Sequence, residues 1–326
     1  MLQIKALFTA ACAIYNKGEP HYDACTSLFF TAHAKLLADA RYSHYGNYTG
    51  MPVVPYSVFS LKRSGVVSRP VREDLFLSDS RELLKIHEAF IAALSISPKL
   101  WNEQQRTVAT RVIYTAILSV ACCYDLWQRG SRKTPGTFFE ILMAAILKLM
   151  FPEARFSKHI PLSAILLDTE VVEAAAEDVS LNLPITEAGE ASDVQPDFQK
   201  DAGVSTDLVM SINGRPGGIV IPLKITTRER IVQPFAHQRI LDAAFGDGVY
   251  KSLLMCISET QLDEKTRSVK QVCVPGTIKL FQKYLARLSG VYYCDVPQRY
   301  AAGDMKEIIA VKSIGEFFGD VADFFD

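Results

Sequence analysis

Near residue 150 the chain changes its hydrophobic period, and that change limits the folds open to it. Upstream, "DACTSLFFTAHAKLLADARY", "SRELLKIHEAFIAALS" and "EQQRTVATRVIYTAILSVACCYDLW" repeat apolar residues at three- and four-residue spacing, the mark of amphipathic helices. The segment "TPGTFFEILMAAILKLMF" opens with Thr134 before Pro135, an N-cap followed by proline at the first helical position, and continues as a nearly all-apolar helix. Downstream the apolar residues gather into short runs bounded by turns. "ARFSKHIPL" reads as a strand, and "STDLVMSI", "NGRPGG" and "IVIPLKIT" read as a β-hairpin. A helix from about Pro234 to Ala244, the buried strand "YKSLLMCIS", the helix "PGTIKLFQKYLARLSG" and the strand "VYYCDVP" follow. This order predicts an α/β (α+β) chain with a mixed β-sheet flanked by helices. It divides into a helical region, 1–130, and a second domain, 131–326, with an acidic insertion at about 168–203. The stretch "SHYGNYTGMPVVPYS" (43–57), rich in Gly, Pro and Tyr, reads as a loop.

Composition narrows the class of function. With 326 residues and 49% apolar content the chain can bury a sizeable core. The longest apolar runs are broken by charge before they reach membrane-spanning length, and the N-terminus has no basic start ahead of an apolar block. A cytoplasmic location and no membrane partner are the expectation. The seven cysteines lack CxxC spacing and sit mostly in apolar runs, so they read as buried free thiols. A formal net charge of -1 carries no global nucleic-acid signature, so any such site must be local. Basic residues cluster in 61–73, 129–136 and 224–230, each a solvated face or a place for phosphate.

The hairpin holds the most specific signal. Asp207 opens its first strand and Lys224 lies near the end of its second, so antiparallel pairing can set them side by side. Two readings stand: a cross-strand ion pair, or a carboxylate and an ammonium group assembled for chemistry.

From 134 to 298 the helix, hairpin, helix and strand order resembles the PD-(D/E)xK nuclease fold. Within it, "LKITTRER" is similar to the segment of type II restriction endonucleases of the CCGG/CCNGG-recognising group in which the catalytic lysine is followed by Arg-(Asp/Glu)-Arg. Those positions are Lys224, Arg228, Glu229 and Arg230. "TPGTFFE" resembles the helix that gives such enzymes an extra acid, here Glu140. The resemblance implies a homodimeric, Mg²⁺-dependent enzyme that hydrolyses double-stranded DNA at a short palindrome and leaves 5′-phosphate ends. It implies Asp207 and Glu140 as metal ligands, and Lys224 at the scissile phosphate, where its charge offsets that of the transition state. The sequence departs from the pattern at the usual second acid. Pro222 stands two residues before the lysine, and the alternative position on the following helix is His237, followed by Gln238. Glu140 is the replacement this implies, with His237 and Gln238 as supporting residues. Pro196-Asp197 spells the literal motif in polar sequence and ranks below Asp207.

Arginine donates twice to guanine O6 and N7, and a carboxylate accepts from the cytosine amino group, so Arg228-Glu229-Arg230 suits base recognition. Thr226 and Glu229 also spell a capping box, which would leave the arginines solvated. Pro234 is expected to kink or break the chain after the triplet. Arg132 and Lys133 could touch backbone phosphates; His44, Tyr45 and Tyr48 could touch bases outside the central pairs. Beside this enzyme stand a different nuclease of the same fold, such as a repair or mobile-element enzyme, a DNA-binding module without catalysis, for which the missing acid argues, and a protein-interaction scaffold with a structural Asp207–Lys224 pair.

Overall fold

A computed structural model describes residues 1–48, 53–62, 64–131, 133–162, 203–212, 214–300 and 303–325. Helices α1 (Leu2–Asn16) and α2 (Tyr22–Asp39) come first. The chain then departs from the helical expectation. The stretch read as a loop forms strands β1 (Arg41–Tyr48) and β2 (Val54–Ser60), joined by β3 (Val71–Arg72) into a small antiparallel sheet. The reason is that β2 is buried on both faces, with Val54 and Tyr56 packing toward Val269 and Phe59 packing into the main core, a pattern that Gly and Pro nearby obscure.

Helices α3 (Ser80–Leu94), α4 (Glu103–Trp127) and α5 (Thr134–Met150) follow. Asp79 caps α3 by accepting from the Arg81 and Glu82 amides, and Asn102 with Gln105 forms a capping box on α4. By length and composition α4 could cross a membrane, but its apolar window is 89% buried inside this protein. Pro135 sits in the first turn of α5, where its missing N–H costs nothing.

Beyond α5 lie β4 (Ala154–Pro161), β5 (Gly203–Ile212), β6 (Gly218–Ile221) and β7 (Leu223–Lys224). The insertion expected at 168–203 falls outside the described residues except for Gly203. A 3₁₀ turn, Arg228–Ile231, runs directly into α6 (Val232–Phe245). Pro234 therefore makes no break; it lies in the first turn of α6, where no intrahelical donor is required. Strand β8 (Tyr250–Cys256) leads to a second hairpin, β9 (Thr260–Asp263) and β10 (Ser268–Gln271). Then come α7 (Pro275–Tyr284), β11 (Gly290–Tyr293), α8 (Gly303–Lys306), β12 (Val311–Ser313) and α9 (Ile314–Phe325).

Among the described residues the large sheet has seven strands: the order is β12-β11-β8-β6-β5-β4, with β7 also paired to β8. Strand β5 pairs antiparallel with both β4 and β6, while β6, β7 and β11 each pair parallel with β8, and β12 pairs parallel with β11. The mixed sheet with flanking helices is the fold class expected. At the hairpin turn, Gly217 has φ +81° and an added Cβ would lie 1.8 Å from the Val249 carbonyl oxygen, so the turn is pinned against the start of β8.

One hydrophobic cluster runs from Ile4 and Phe29 through Ile117, Phe139 and Met210 to Tyr292 and Phe317. Residues on both sides of position 130 share it, so the N-terminal helices close one face of the sheet. The cysteines are free thiols, and all but Cys12 are buried. The small sheet is tied to the large one by a buried carboxylate: Asp295, just beyond β11, accepts from the Tyr56 hydroxyl at 2.8 Å and the Arg72 guanidinium at 3.0 Å. Its backbone N–H donates to the Ile257 carbonyl at 2.9 Å. The two hairpins also meet, because a Cβ on Gly46 would lie 2.1 Å from the Arg267 carbonyl oxygen.

A hydrogen bond to a buried charged group contributes about 1.5–3 kcal/mol. Tyr56→Phe, which removes the hydroxyl and little else, should lower the unfolding free energy by about 2 kcal/mol in urea titration. A change below about 0.5 kcal/mol would show that this tie does not hold the small sheet.

Candidate active site

The antiparallel register pairs Leu208 with Ile221, which brings Asp207 level with the chain as it leaves β6. Pro222 has no N–H and ends that ladder. Its carbonyl instead accepts from the Met255 amide at 2.9 Å, and Leu223 and Lys224 pair with Met255 and Cys256 of β8. On the β5 side the Asp207 carboxylate takes over: Oδ2 accepts from the Leu223 N–H at 2.7 Å and from the Lys224 ammonium at 2.7 Å. The two side chains are 21% and 13% exposed, so the pair faces solvent while walled by protein.

Asp207 and Lys224 form a wall shared by two cavities. The larger, about 980 Å³, is also bordered by Glu140, Arg129, Lys133, Arg230 and Glu264. The smaller, about 230 Å³, is bordered by Ser205, Pro222, Gln233 and His237. Glu140, on α5, is 19% exposed and pairs through Oε2 with the Lys158 ammonium of β4 at 3.2 Å. Burial first, and then the negative charge of Asp207, hold its carboxyl above the usual carboxylate range, while Lys158 and Lys224 pull the other way. His237 is held below the usual imidazole range by burial and by the charge of Lys224, with Asp207 opposing.

The structure thus brings Asp207, Lys224 and Glu140 to one cleft and His237 to the other side of the same pair. Arg230 is exposed on the turn after β7 and borders the cleft; Lys133 borders it at the start of α5. The Arg228 and Glu229 backbones form the same turn, and their side chains lie outside the described residues, as do Arg132 and Pro196-Asp197. Gln238 is committed elsewhere. Its amide donates to Asp242 at 2.7 Å and to the Tyr250 carbonyl at 2.9 Å, and accepts from the Ser252 amide at 2.8 Å, which ties α6 to β8. His44 pairs with Glu73 at 2.8 Å, and Tyr48 packs with Tyr56 and Val269 between the two hairpins. The Tyr45 hydroxyl reaches the Asp263 carbonyl at 3.4 Å.

Two neighbours of the site, Lys158 and Asp125, escape a reading of the sequence, which notes Arg69 only as part of a basic cluster. Lys158 sits on β4 with no motif around it, and its ammonium lies 4.4 Å from the ring centroid of Tyr15, a residue of α1 far away in sequence. Arg69 and Asp125 form a two-pronged ion pair at 2.8 and 2.9 Å on the cleft wall. Packing between elements far apart in sequence sets them there: α1 brings Tyr15 to Lys158, and α4 brings Asp125 to Arg69.

Glu140 supplies a sign that can be tested in metal-free buffer. Its folded pKa lies above the unfolded one, so its charge destabilises the fold once pH exceeds both values and has no differential effect below both. Glu140→Gln should therefore raise Tm in EDTA at pH 8, with the gain shrinking as pH falls below the ordinary glutamate range. A variant less stable than the parent at pH 8 would contradict this assignment of the charge environment.

No protein-family model matches the chain, and neither does any curated protein. Among solved structures the chain is similar to the crystal structure of the Type IIP restriction endonuclease Kpn2I, at 42% identity over 100% of this chain and 98% of that one, with a TM-score of 0.83. The restriction endonuclease PspGI in complex with substrate DNA also aligns, at 15% identity over 75% of this chain and 92% of that one, with a TM-score of 0.40. Whole-chain similarity to Kpn2I at this identity places the chain in a family, and the chain belongs to the type II restriction endonucleases, site-specific deoxyribonucleases.

Proposed function

We propose that this enzyme is a homodimer that cuts double-stranded DNA at a short palindrome with a CCGG or CCNGG-like core, uses Mg²⁺ and leaves 5′-phosphate ends. The observation that carries the reading is the sharing of one cleft by Asp207, Lys224, Glu140 and Arg230. Groups suited to phosphodiester hydrolysis and a group suited to guanine thus stand along the same path.

The donor set fits a hard divalent cation. Two carboxylates border one water-accessible cleft, and burial first, then the charge of Asp207, holds the Glu140 pKa up, a rise that a bound cation would oppose. Among the described residues no group of three or more His, Cys, Asp and Glu side chains converges. That suits Mg²⁺, which commonly takes one or two carboxylates together with substrate phosphate. Asp207 and Glu140 would hold it, and when bound it would neutralise charge on the phosphoryl oxygens.

The chain's own residues do the rest. Lys224, which donates to Asp207 in the free enzyme, turns to the scissile phosphate, stabilises its developing charge and orients the attacking water. Lys158 leaves Glu140 able to ionise despite its burial. His237, whose imidazole is held below its usual range by burial and by Lys224, offers a ring nitrogen in the smaller cavity. Arg129 and Lys133 border the cleft as cations for backbone phosphates, while Arg69 is already paired with Asp125. Region 1–130 contributes Arg129, which favours contact with flanking DNA among its roles beside dimerisation or effector binding. A two-fold symmetric target calls for a two-fold symmetric protein, one subunit for each strand.

Digestion of a sequenced plasmid in Mg²⁺, with end sequencing, should give discrete fragments with 5′-phosphates at sites containing paired C and G, and none in EDTA. Ends without that core would overturn the proposed site. Lys224→Ala should cut about 10²–10³-fold more slowly while retaining DNA binding in gel shift. Arg230→Ala should cost about 1–3 kcal/mol of discrimination at one base pair; equal loss on every sequence would mark it as a phosphate contact instead.

A further inference from the structure

Three residues, Ile225 to Thr227, join the lysine of the site to the reading turn, and their path decides where that turn stands. The first part of the path is ladder: the Ile257 amide donates to the Lys224 carbonyl and the Ser258 amide to the Ile225 carbonyl, each at 3.2 Å. At the next position along β8's extension the contact changes from backbone to side chain. Glu259 is wholly buried, and its Oε1 accepts from the Thr227 N–H at 2.7 Å and also from the Thr227 hydroxyl. The Tyr293 hydroxyl of β11 donates to the same oxygen at 3.2 Å. Thr227 is itself buried, and its carbonyl accepts from the Arg230 amide at 2.9 Å, the bond that starts the 3₁₀ turn.

Burying a carboxylate is costly unless its oxygens are well bonded. Here three bonds, two from Thr227 and one from Tyr293, fall on one oxygen, Oε1, and the acid is anchored in its own backbone: the Val272 amide of the chain after β10 donates to the Glu259 carbonyl at 2.7 Å. Neither the metal-binding carboxylates nor the lysine requires this group. What it fixes is the position and pitch of Arg228 to Arg230 relative to Lys224. A bidentate arginine–guanine contact tolerates little displacement, because hydrogen bonds weaken steeply off their preferred length and angle.

We infer that Glu259 is a specificity-determining positioning residue: through Thr227 it holds the reading turn in register with Lys224, so that cutting depends on a correctly read base pair. The inference rests on the proposed reading of Arg228 to Arg230. It predicts that loosening the tether damages discrimination more than it damages cutting.

The test compares kcat/KM on duplexes carrying the main plasmid site with duplexes altered at one C or G of its core. Glu259→Gln and Thr227→Val should each lower the ratio of the two values by tenfold or more. The double variant should fall no further than the worse single variant, because both remove one tether. Thr227→Ser, which keeps the hydroxyl, should keep the ratio near that of the parent. Thr227→Val serves where Glu259→Gln fails to fold, with Tm recorded for each. Equal loss of kcat/KM on both duplexes, or an unchanged ratio, would overturn the role of Glu259 while Arg230→Ala still lowers the ratio. If Arg230→Ala leaves the ratio unchanged, the reading turn itself is misassigned and the inference falls with it.

Discussion

The site depends on one carboxylate doing the work of a backbone. At Pro222 the second hairpin strand loses its donor and leaves its antiparallel neighbour, and the Asp207 side chain accepts the Leu223 N–H that β5 would otherwise have paired. The same oxygen receives the Lys224 ammonium. Strand geometry and charge pairing are thus solved together, and the acid and the lysine stand inside the sheet at the point where the β5–β6 ladder ends. The expected second acid is absent two residues before the lysine because that position carries the proline that ends the ladder.

Everything else is arranged around that point. Helix α5 enters with Pro135 in its first turn and delivers Glu140 to the cleft, while β4 delivers Lys158 to neutralise it. Helices α1, α2 and α4 bury their apolar faces in the same cluster as the sheet, so the N-terminal region is part of the wall of the site. Asp295 joins the small sheet to the end of β11 by accepting from Tyr56 and Arg72. The acids that carry this architecture are therefore of two kinds: Asp207 and Glu140, partly exposed to the cleft, and Asp295 and Glu259, buried as fasteners.

Much of the fold is legible from local pattern. The helices from Tyr22 to Met150 follow from apolar spacing and the caps at Asp79 and Asn102, and the hairpin of β5 and β6 follows from alternating apolar runs around Gly214 to Gly217. The hairpin at 41–60 is not legible in the same way, because Gly46 and Pro55 are loop residues by composition. One lies beside a bulge and is pressed on Arg267, and the other lies within a strand paired to Asn47. Pro234 misleads for a related reason: proline breaks a helix in its interior but is at home in the first turn, and only the observed start of α6 tells the two apart.

By itself the sequence determined the chemistry at hand: an acid and a lysine on paired strands, a charged triplet a few residues beyond, and an acid on the preceding helix. Strand register and helix period are local properties, so spacing suffices to place these residues. The tertiary structure decided which polar groups those residues share space with. It set Lys158 and Tyr15 beside Glu140, turned His237 toward Lys224 and Gln238 away from it, and brought Glu259 under Thr227. These contacts join segments far apart in sequence, and they exist because burying apolar surface on both faces of one sheet forces those segments together.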